Sequence, residues 1–200
     1  MSKEILVTGG AGFIGSHTCV ALCEFGYTPV IIDNLSNSRE SMIAGIEKII
    51  GREVKFYPID CCHLDPLDLI FQKHRFDGII HFAAFKAVGE SVEKPLMYFH
   101  NNLTSLINVM RCMEEYKVNN FVFSSSCTVY GNPDQIPVTE ETPKKEAASP
   151  YGLTKQMGEQ MIESMAYANK NINSVMLRYF NPAGAHPSTL IGELPIDKPQ

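Results

Sequence analysis

Residues 3–15 read KEILVTGGAGFIG, a short apolar run followed at once by glycines at three-residue spacing. The run 3–8 has the length and the Ile/Val content of a buried strand. The residues after Gly9 begin a helical pattern that continues to Phe25 and stops at Gly26. This segment therefore predicts a strand, a glycine turn and a helix in immediate succession.

Each glycine of the turn has its own physical role in this prediction. Gly9 permits the tight turn, Gly12 lets the backbone approach a pyrophosphate, and Gly15 allows close helix packing. The N-terminus of the helix then faces the anion. The next apolar run, 28–32, ends in Asp33, where an acid can hydrogen-bond both hydroxyls of an adenosine ribose. Because Asp33 would repel a 2′-phosphate, the pattern favours NAD over NADP.

The rest of the chain alternates strands with helices. Further strands are predicted at 54–59, 78–82, 121–125 and 174–178, and further helices at 39–50, 65–73, 95–115 and 149–169. The alternation predicts an α/β fold with a doubly wound parallel sheet and a ligand at the carboxyl ends of its strands. Asp33, Asp60, the segment after Phe82, the serines after Phe123 and Tyr179 all follow such ends.

Composition and charge limit the kinds of partner. The 200 residues are 44% hydrophobic, which is enough for one main core. A net charge of −5 and the absence of a basic stripe argue against a nucleic-acid partner. We find neither an apolar run of membrane-spanning length nor a signal-peptide core, so we expect a cytoplasmic protein without a membrane partner.

The cysteines and histidines do not predict a metal site. The six cysteines, at positions 19, 23, 61, 62, 112 and 127, lack zinc-binding spacing. Cys61-Cys62-His63 is the one cluster that could suggest a metal, and reduced, buried thiols are the better interpretation. His81, inside an apolar run, is interpreted as a core residue with a satisfied hydrogen bond.

The run Ser149-Pro-Tyr-Gly-Leu-Thr-Lys155 predicts a catalytic pair at the start of a helix. Ser149 is a good N-cap, and Pro150 is tolerated at the first helical position. Residues four apart share a helix face, so the ammonium of Lys155 can approach the phenol of Tyr151. Bringing the pKa of a phenol to neutrality requires roughly 4 kcal/mol, more than one lysine supplies. An oxidised nicotinamide ring would add a second positive charge, so the pair predicts NAD.

Four further segments carry a resemblance to a known family. They are 81–91 (HFAAFKAVGES), 123–131 (FSSSCTVYG), 149–152 (SPYG) and 178–187 (RYFNPAGAHP). With the glycine turn, they resemble the UDP-glucose 4-epimerase (UDP-galactose 4-epimerase) family of the extended short-chain dehydrogenase/reductase superfamily, over the whole chain. The resemblance implies a Rossmann-type NAD-binding fold and the interconversion of UDP-glucose and UDP-galactose in galactose metabolism.

The resemblance also implies a role for each matching position. Tyr151 is the catalytic base, Lys155 binds the nicotinamide ribose and lowers the pKa of Tyr151, and Ser126 hydrogen-bonds the reacting oxygen of the sugar. The implied NAD contacts are Gly9, Gly12, Phe13, Ile14, Gly15, Asp33, Asn34, Leu35, Ser36, Asn37, Ser38, Asp60, Cys61, Phe82, Ala83, Ala84, Phe85, Lys86, Asn101, Tyr151, Lys155 and Phe180. The implied UDP-hexose contacts are Lys86, Ser126, Tyr151, Tyr179 and Asn181.

The implied reaction is a transient oxidation. Tyr151 removes the proton of the sugar's 4-hydroxyl while C4 passes a hydride to NAD, which gives a 4-keto sugar. The sugar then turns about its diphosphate linkage and takes the hydride back on its other face. C4 is inverted without net redox change.

Other enzymes remain as alternatives. Nucleotide-sugar 4,6-dehydratases share the glycine turn and Tyr-x-x-x-Lys, but carry Thr-Asp-Glu where positions 126–128 of this chain are Ser-Cys-Thr. Their acid and base are therefore absent. A UDP-N-acetylhexosamine or UDP-pentose 4-epimerase is also consistent with the residues.

The predicted organisation is a NAD-binding domain over 1–178 and the beginning of a truncated UDP-sugar-binding domain over 179–200. Residues 184–200 are rich in Pro and lack core-forming periodicity. We therefore expect them not to pack against the rest of the chain unless more protein follows. A non-catalytic NAD-binding fragment is therefore a further alternative. By analogy with related enzymes, the helices at 95–115 and 149–169 would form a homodimer interface.

Overall fold

In a computed structural model, which describes residues 2–194, the chain forms a six-stranded sheet flanked by helices. The strands are β1 (Glu4–Thr8), β2 (Thr28–Ile32), β3 (Lys55–Tyr57), β4 (Phe76–His81), β5 (Asn120–Ser126) and β6 (Asn173–Tyr179). The helices are α1 (Phe13–Glu24), α2 (Glu40–Ile50), α3 (Leu64–Lys73), α4 (Val88–Glu93), α5 (Pro95–Glu115) and α6 (Pro150–Ala168). A 3₁₀ turn spans Cys127–Tyr130.

The sheet is parallel throughout, in the order β3-β2-β1-β4-β5-β6. The chain starts at β1, winds outward through β2 and β3, and then returns to add β4, β5 and β6 on the other side. The winding direction therefore reverses between β1 and β4, which leaves a crevice at their carboxyl ends. This topology confirms the predicted doubly wound α/β fold.

The core consists of two hydrophobic clusters on opposite faces of the sheet. Successive residues of a strand point to opposite faces. Leu6 of β1 packs in the cluster that contains side chains of α3, α5 and α6. The next residue, Val7, packs in the cluster that contains side chains of α1 and α2. Because helices cover both faces, β1 and β2 carry consecutive buried apolar residues rather than alternating ones.

The helix ends follow local sequence signals. Ser149 caps α6 by accepting a hydrogen bond from the backbone N–H of Gly152 at 3.1 Å. Pro95 occupies the first turn of α5. Gly51, with φ of 71°, ends α2 in the left-handed conformation. These signals place Tyr151 in the first turn of α6, as predicted.

The elements differ from the predicted ones in a few places. α4 was not predicted because six residues are too few for a periodic pattern. β3 has three residues, and β4 begins at Phe76, two positions before the predicted start. The serines at the end of β5 lead directly into the 3₁₀ turn, which was not predicted.

The segment 184–194 packs against α2 through Ile191, which corrects the expectation from composition. The side chain of Ile191 is 2% exposed and packs against α2. A Cβ atom at Gly45 of α2 would lie 2.5 Å from the carbonyl oxygen of Leu190, so the segment touches the helix backbone. One apolar side chain therefore anchors a segment without periodicity. Residues 195–200 lie outside the described residues.

Thr189 and Ser105 differ in how their side chains fit the structure. Thr189 has φ of 60°, in the left-handed region that favours glycine and strains a β-branched residue. Ser105 lies inside α5, is 2% exposed, and donates a hydrogen bond to the carbonyl oxygen of Asn102 at 3.3 Å. Thr189 therefore affects the backbone, whereas Ser105 affects packing.

Neither a metal cluster nor a membrane-spanning helix is found among residues 2–194. In that part of the chain, groups of three or more His, Cys, Asp or Glu side chains do not converge as metal ligands would. Its helices are too short or too polar to cross a membrane. The six cysteines are free thiols, and Cys19, Cys61 and Cys112 are buried.

Replacing Gly15 with Ala should destabilise the fold. The added Cβ would lie 2.3 Å from the carbonyl oxygen of Gly9 and 2.7 Å from Cα of Gly10, and backbone atoms cannot move aside as a side chain can. We expect the free energy of unfolding, measured by urea denaturation, to fall by at least about 2 kcal/mol. A Cβ at Gly89 in α4 meets open space, so Gly89→Ala is the control and should stabilise by about 0.5–1 kcal/mol. Equal stabilities would contradict the packing role of Gly15.

Candidate active site at the carboxyl edge of the sheet

A cleft of about 390 Å³ opens at the carboxyl ends of the strands. It is lined by all but one of the predicted site residues, namely Gly9, Gly12, Phe13, Ile14, Gly15, Asp33, Asn34, Ser36, Asn37, Ser38, Asp60, Cys61, Phe82, Ala83, Ala84, Phe85, Lys86, Asn101, Ser126, Tyr151, Lys155, Tyr179, Phe180 and Asn181. The exception is Leu35, which packs against the cluster of α1 and α2. The fold thus brings together residues that are spread along the whole chain.

The glycine turn brings backbone atoms to the cleft wall. Gly9 has φ of 68°, and a Cβ there would lie 2.7 Å from the backbone nitrogen of Ala83. Gly12 precedes the first turn of α1, in which no side chain caps the helix and no acidic residue occurs. The N–H groups at the start of a helix have no intrahelical partner and favour negative charge. A phosphate group fits this end of α1.

Asp33 ties the glycine turn to the residues after β2. Its carboxylate accepts hydrogen bonds from the backbone N–H of Ala11 at 3.1 Å, the backbone N–H of Leu35 at 2.9 Å and the hydroxyl of Ser38 at 2.7 Å. A carboxylate has about four acceptor positions, so one remains for a ribose hydroxyl. The carboxylate is 9% exposed. Asp33 is thus a structural tie that keeps one acceptor position free for a ligand.

Asp60 is held in the neighbouring wall by two donors. Its carboxylate accepts from the backbone N–H of Cys62 at 2.7 Å and from the carboxamide of Asn34 at 2.9 Å. Burial raises the pKa of Asp60, but these hydrogen bonds outweigh burial and hold it below its usual value. The carboxamide of Asn108 donates to the carbonyl oxygens of Cys61 and Cys62 at 2.9 and 3.0 Å. Sequence reasoning missed this support, because it joins residues distant in sequence.

Tyr151 and Lys155 lie on one face of α6, as their spacing predicts. The Nζ atom of Lys155 is 5.8 Å from the centre of the Tyr151 ring. It donates a hydrogen bond to the carbonyl oxygen of Ser124 at 2.6 Å. Burial lowers the pKa of Lys155 to about 8. An ammonium has three donors, so Lys155 can also hydrogen-bond the hydroxyls of a ligand.

The pKa of Tyr151 is raised above its usual value in the chain alone. Burial is the main cause, and a hydrogen bond with Ser126 lowers the pKa only in part. The predicted lowering by Lys155 is therefore not found without a ligand. This agrees with the estimate that one lysine supplies less than the roughly 4 kcal/mol required for a neutral pKa. For Tyr151 to act as a base, a further positive charge in the cleft would have to lower its pKa.

The last residue of β5 and the 3₁₀ turn after it each contribute a hydroxyl group to the cleft. Ser126 is 7% exposed, and its Oγ accepts a hydrogen bond from the backbone N–H of Thr128 at 3.2 Å. Thr128 also lines the cleft, and its hydroxyl is the one buried side-chain polar group in residues 2–194 without a hydrogen-bond partner. An unpaired buried hydroxyl costs about 1–3 kcal/mol, which a polar ligand group would offset. Sequence reasoning considered position 128 only as a missing carboxylate.

Lys86 has a carboxylate partner in the structure. Its Nζ lies 3.1 Å from Oε1 of Glu193, and both side chains are about half exposed. So exposed a pair contributes only about 0–1 kcal/mol. An anionic ligand can therefore displace Glu193 from Lys86.

Asn102 connects three parts of the site and was missed by sequence reasoning. Its carboxamide oxygen accepts from the backbone N–H of Phe85 at 2.8 Å. Its nitrogen donates to the carbonyl oxygen of Phe85 at 3.0 Å and to the hydroxyl of Thr154 at 3.1 Å. The side chain thus fixes the cleft segment 82–86 relative to α5 and α6. The sequence signal for it is a pair of asparagines inside an apolar helix.

His81 is a neutral core residue, consistent with its interpretation from the sequence. It is 2% exposed, and Nδ1 lies 2.7 Å from the hydroxyl of Thr8. Burial, with a smaller effect of the Lys155 charge, lowers the pKa of His81 to about 3. Its ring stacks on Phe123. His81 therefore supports the floor beneath Lys155 without carrying charge.

Comparison with known proteins identifies close relatives. Residues 5–194 match the NAD dependent epimerase/dehydratase family. UDP-glucose 4-epimerase uge1 of Schizosaccharomyces pombe is 51% identical over 199 residues, and UDP-glucose 4-epimerase of Dictyostelium discoideum is 49% identical over 199 residues. These alignments cover 98% and 100% of this chain, but 56% and 58% of the relatives. The chain thus spans somewhat more than half the length of the curated relatives it matches.

Solved structures agree with the sequence relatives. A UDP-glucose 4-epimerase from Bifidobacterium longum in complex with NAD+ and UDP superposes with a TM-score of 0.97 at 43% identity, over 98% of this chain and 59% of that chain. A UDP-glucose-4-epimerase from Stenotrophomonas maltophila, with bound NAD and formylated UDP-arabinopyranose, gives a TM-score of 0.94 at 44% identity. This superposition covers 98% of this chain and 58% of that chain. The likeness therefore extends over nearly all of this chain.

Replacing Lys155 with Met should change how stability depends on pH. The folded-state pKa of about 8 lies below the ordinary value of 10.5, so the unfolded state holds more protons between these values and stability rises with pH there. From about pH 7.5 to about pH 9.5, the wild-type free energy of unfolding should gain about 1–2 kcal/mol relative to Lys155→Met. Urea denaturation at each pH measures this difference. The exposed Lys48 is the control, and Lys48→Met should show no such gain. A constant difference for Lys155→Met would contradict a buried, ionisable amine.

Proposed function

The chain belongs to the NAD dependent epimerase/dehydratase family, and we propose that it supplies the NAD-binding and proton-transfer half of a UDP-hexose 4-epimerase that interconverts UDP-glucose and UDP-galactose. One observation carries this proposal. Tyr151, whose pKa is lowered in part by Ser126 and whose ring lies 5.8 Å from Nζ of Lys155, lines the same cleft as the glycine turn and Asp33. A proton acceptor and a dinucleotide site therefore share one cavity.

The residues of the cleft fit NAD. The pyrophosphate would be held at the start of α1, the adenosine ribose by Asp33 and the nicotinamide ribose by Lys155. Gly12 puts no side chain at the start of α1, where the pyrophosphate would approach, and Asp33 keeps a free acceptor position. When bound, NAD supplies the reversible acceptance of a hydride from C4 of the hexose.

The chain's own residues move the proton. Tyr151 takes the proton of the sugar's 4-hydroxyl and later returns it to the same oxygen, so no proton is consumed. Ser126 donates its one hydroxyl proton to the phenolate oxygen and so favours the phenolate, and its remaining acceptor position can receive a hydrogen bond from the sugar's hydroxyl. Lys155 adds a positive charge beside the phenol, and its burial keeps water from screening that charge.

The cleft wall disfavours dehydration. Cys127 and Thr128 stand where the dehydratases carry Asp and Glu, and neither can replace a carboxyl group. The unpartnered hydroxyl of Thr128 would instead hydrogen-bond the hexose. We favour UDP-glucose and UDP-galactose over UDP-N-acetylhexosamines and UDP-pentoses because both curated relatives named above are UDP-glucose 4-epimerases.

We assign residues 1–178 to a NAD-binding domain and residues 179–200 to the beginning of a UDP-sugar-binding domain. Tyr179, Phe180 and Asn181 support the boundary, since they follow β6 directly and line the cleft. Asn181 would contact the UDP-sugar. The competing proposal is that the chain is a non-catalytic NAD-binding fragment. The coverage of the relatives supports it, because the chain spans only 56% and 58% of the length of the two curated relatives.

A homodimer through α5 and α6 is a further part of the proposal. Apolar side chains on these helices are exposed, among them Leu96 at 81%, Ile107 at 43% and Leu153 at 40%. Exposed apolar patches are typical of protein–protein interfaces. A cytoplasmic location and a role in galactose metabolism belong to the same proposal.

The chain with UDP-galactose and a catalytic amount of NAD should form UDP-glucose, detected by proton NMR. Tyr151→Phe should retain NAD binding but lose at least about 100-fold in turnover, because general base catalysis contributes about 10²–10⁴-fold. Tyr167 lies on the same helix and is 81% exposed, so Tyr167→Phe is the matched control and should keep the wild-type rate. A requirement for stoichiometric NAD, or full activity in Tyr151→Phe, would show that the mechanism is wrong.

Asp33→Asn should weaken the discrimination against NADP. The carboxylate charge repels a 2′-phosphate, whereas the carboxamide is neutral. We expect the ratio of the NADP and NAD dissociation constants, measured by calorimetry, to fall about tenfold. Ser38→Ala removes one hydrogen bond to Asp33 without changing charge, so it should keep the wild-type ratio. The same ratio in Asp33→Asn as in the wild type would remove Asp33 from the ribose site.

A further inference from the structure

A fully buried carboxylate lies behind the proton-transfer residues. Glu159 of α6 is 0% exposed. Its Oε1 accepts hydrogen bonds from the hydroxyl of Ser125 at 2.5 Å and from Nε of Arg178 at 2.9 Å. Its Oε2 accepts from Nη2 of Arg178 at 2.9 Å and is paired with Nζ of Lys144 at 2.8 Å. Four donors thus surround one carboxylate.

Arg178 extends this network across the sheet. It stands opposite Ser125 in the pairing of β5 with β6. Its Nη1 donates a hydrogen bond to the hydroxyl of Tyr130 at 3.0 Å, and its guanidinium carbon lies 5.0 Å from the centre of that ring. Tyr130 belongs to the 3₁₀ turn that begins after Ser126. The pair Glu159–Arg178 therefore joins α6, β5, β6 and this turn.

Each element joined by the pair also carries a cleft residue. Glu159 lies one helical turn after Lys155 and two turns after Tyr151. Ser125 separates Ser124, which accepts the hydrogen bond of Lys155, from Ser126, which lines the cleft with Tyr151 and lowers its pKa. Glu159 and Arg178 themselves do not line the cleft. They can therefore act on the reaction only by holding other residues in place.

The chemistry of the pair suits a fixed support. A bidentate arginine–carboxylate contact defines an orientation as well as a distance. Burial raises the pKa of Glu159, but hydrogen bonds from Arg178 and Lys144 outweigh burial and keep it below its usual value. The carboxylate thus stays ionised. Removing one partner would leave a buried charge uncompensated, so the pair cannot loosen without strain on its neighbours.

We propose that Glu159 and Arg178 are a positioning pair that sets the separation of Tyr151 from Ser126 and so determines whether the phenol receives the serine's hydrogen bond. The importance of this bond for turnover rests on the proposed function. The geometric claim concerns the chain with or without turnover. It deepens the assignment of Tyr151 by naming what holds it in place.

The titration of Tyr151 tests the proposal without requiring turnover. Tyrosine labelled with ¹³C at Cζ reports ionisation of each phenol by NMR, and the signal missing in Tyr151→Phe identifies Tyr151. In the NAD-bound chain, Glu159→Gln and Arg178→Lys should raise the apparent pKa of Tyr151 by about one unit, a tenfold loss of phenolate at a given pH. Calorimetry should show wild-type NAD affinity in both variants.

Lys144→Met is the matched control. Lys144 is 32% exposed and also contacts the carboxylate, but it is not part of β5, β6 or α6. This variant should lose thermal stability while keeping the wild-type titration of Tyr151. If Glu159 and Arg178 only stabilise the fold, Glu159→Gln and Arg178→Lys should behave like Lys144→Met. Loss of stability without any shift in the Tyr151 titration would therefore overturn the proposal.

The outcomes separate this inference from the proposed function. If the wild-type chain does not interconvert UDP-hexoses but the Tyr151 titration shifts as described, the positioning pair stands and the proposed function fails. If turnover is observed and both variants titrate like the wild type, the positioning pair is wrong and the proposed function stands. If Glu159→Gln fails to fold, Arg178→Lys and Ser125→Ala decide, because both keep the buried charges. An unshifted Tyr151 titration in these two variants would again overturn the proposal.

Discussion

The contact between the glycine turn and its neighbouring backbone is the constraint on which the site depends. A Cβ at Gly9 would lie 2.7 Å from the backbone nitrogen of Ala83, and one at Gly15 would lie 2.3 Å from the carbonyl oxygen of Gly9. Because glycine has no side chain at either position, the end of β1 can lie directly against the segment after β4, and α1 can begin at the edge of the sheet. Asp33 then holds the turn through the backbone of Ala11. Gly9, Gly15 and Ala83, which make this contact, line one wall of the cleft.

The opposite wall depends on charges that are kept away from water. Lys155 is 4% exposed and Glu159 is 0% exposed, although they lie one turn apart on α6. Their surroundings differ. Glu159 is surrounded by donors and stays ionised, whereas the lysine has a lowered pKa because burial disfavours its charge. α6 thus places an ionised carboxylate behind the cleft and an amine with a lowered pKa inside it. Groups with such shifted pKa values are typical of sites that transfer protons.

Local patterns predicted the parts of the structure that local physics determines. β2 at 28–32 and α5 at 95–115 agree residue by residue with the prediction, since their periodicity and end signals lie within the segments themselves. Asn102, Asn108 and Glu159 were missed because each acts through partners 15 or more residues away, which no local pattern reveals. Ile191 was missed for a related reason, as a single anchoring side chain has no period. The domain boundary and the individual site roles stay predictions.

The central claim is that C4 of the hexose is inverted by removing and returning one hydride, while Tyr151 moves only the hydroxyl proton. Epimerisation of UDP-galactose in D₂O, followed by proton NMR at C4 of the product, tests this most directly. A hydride that passes between carbon atoms does not exchange with solvent, whereas a proton removed from carbon by a base does. The account predicts UDP-glucose with protium at C4. Deuterium at C4, or no UDP-glucose at all, would contradict it.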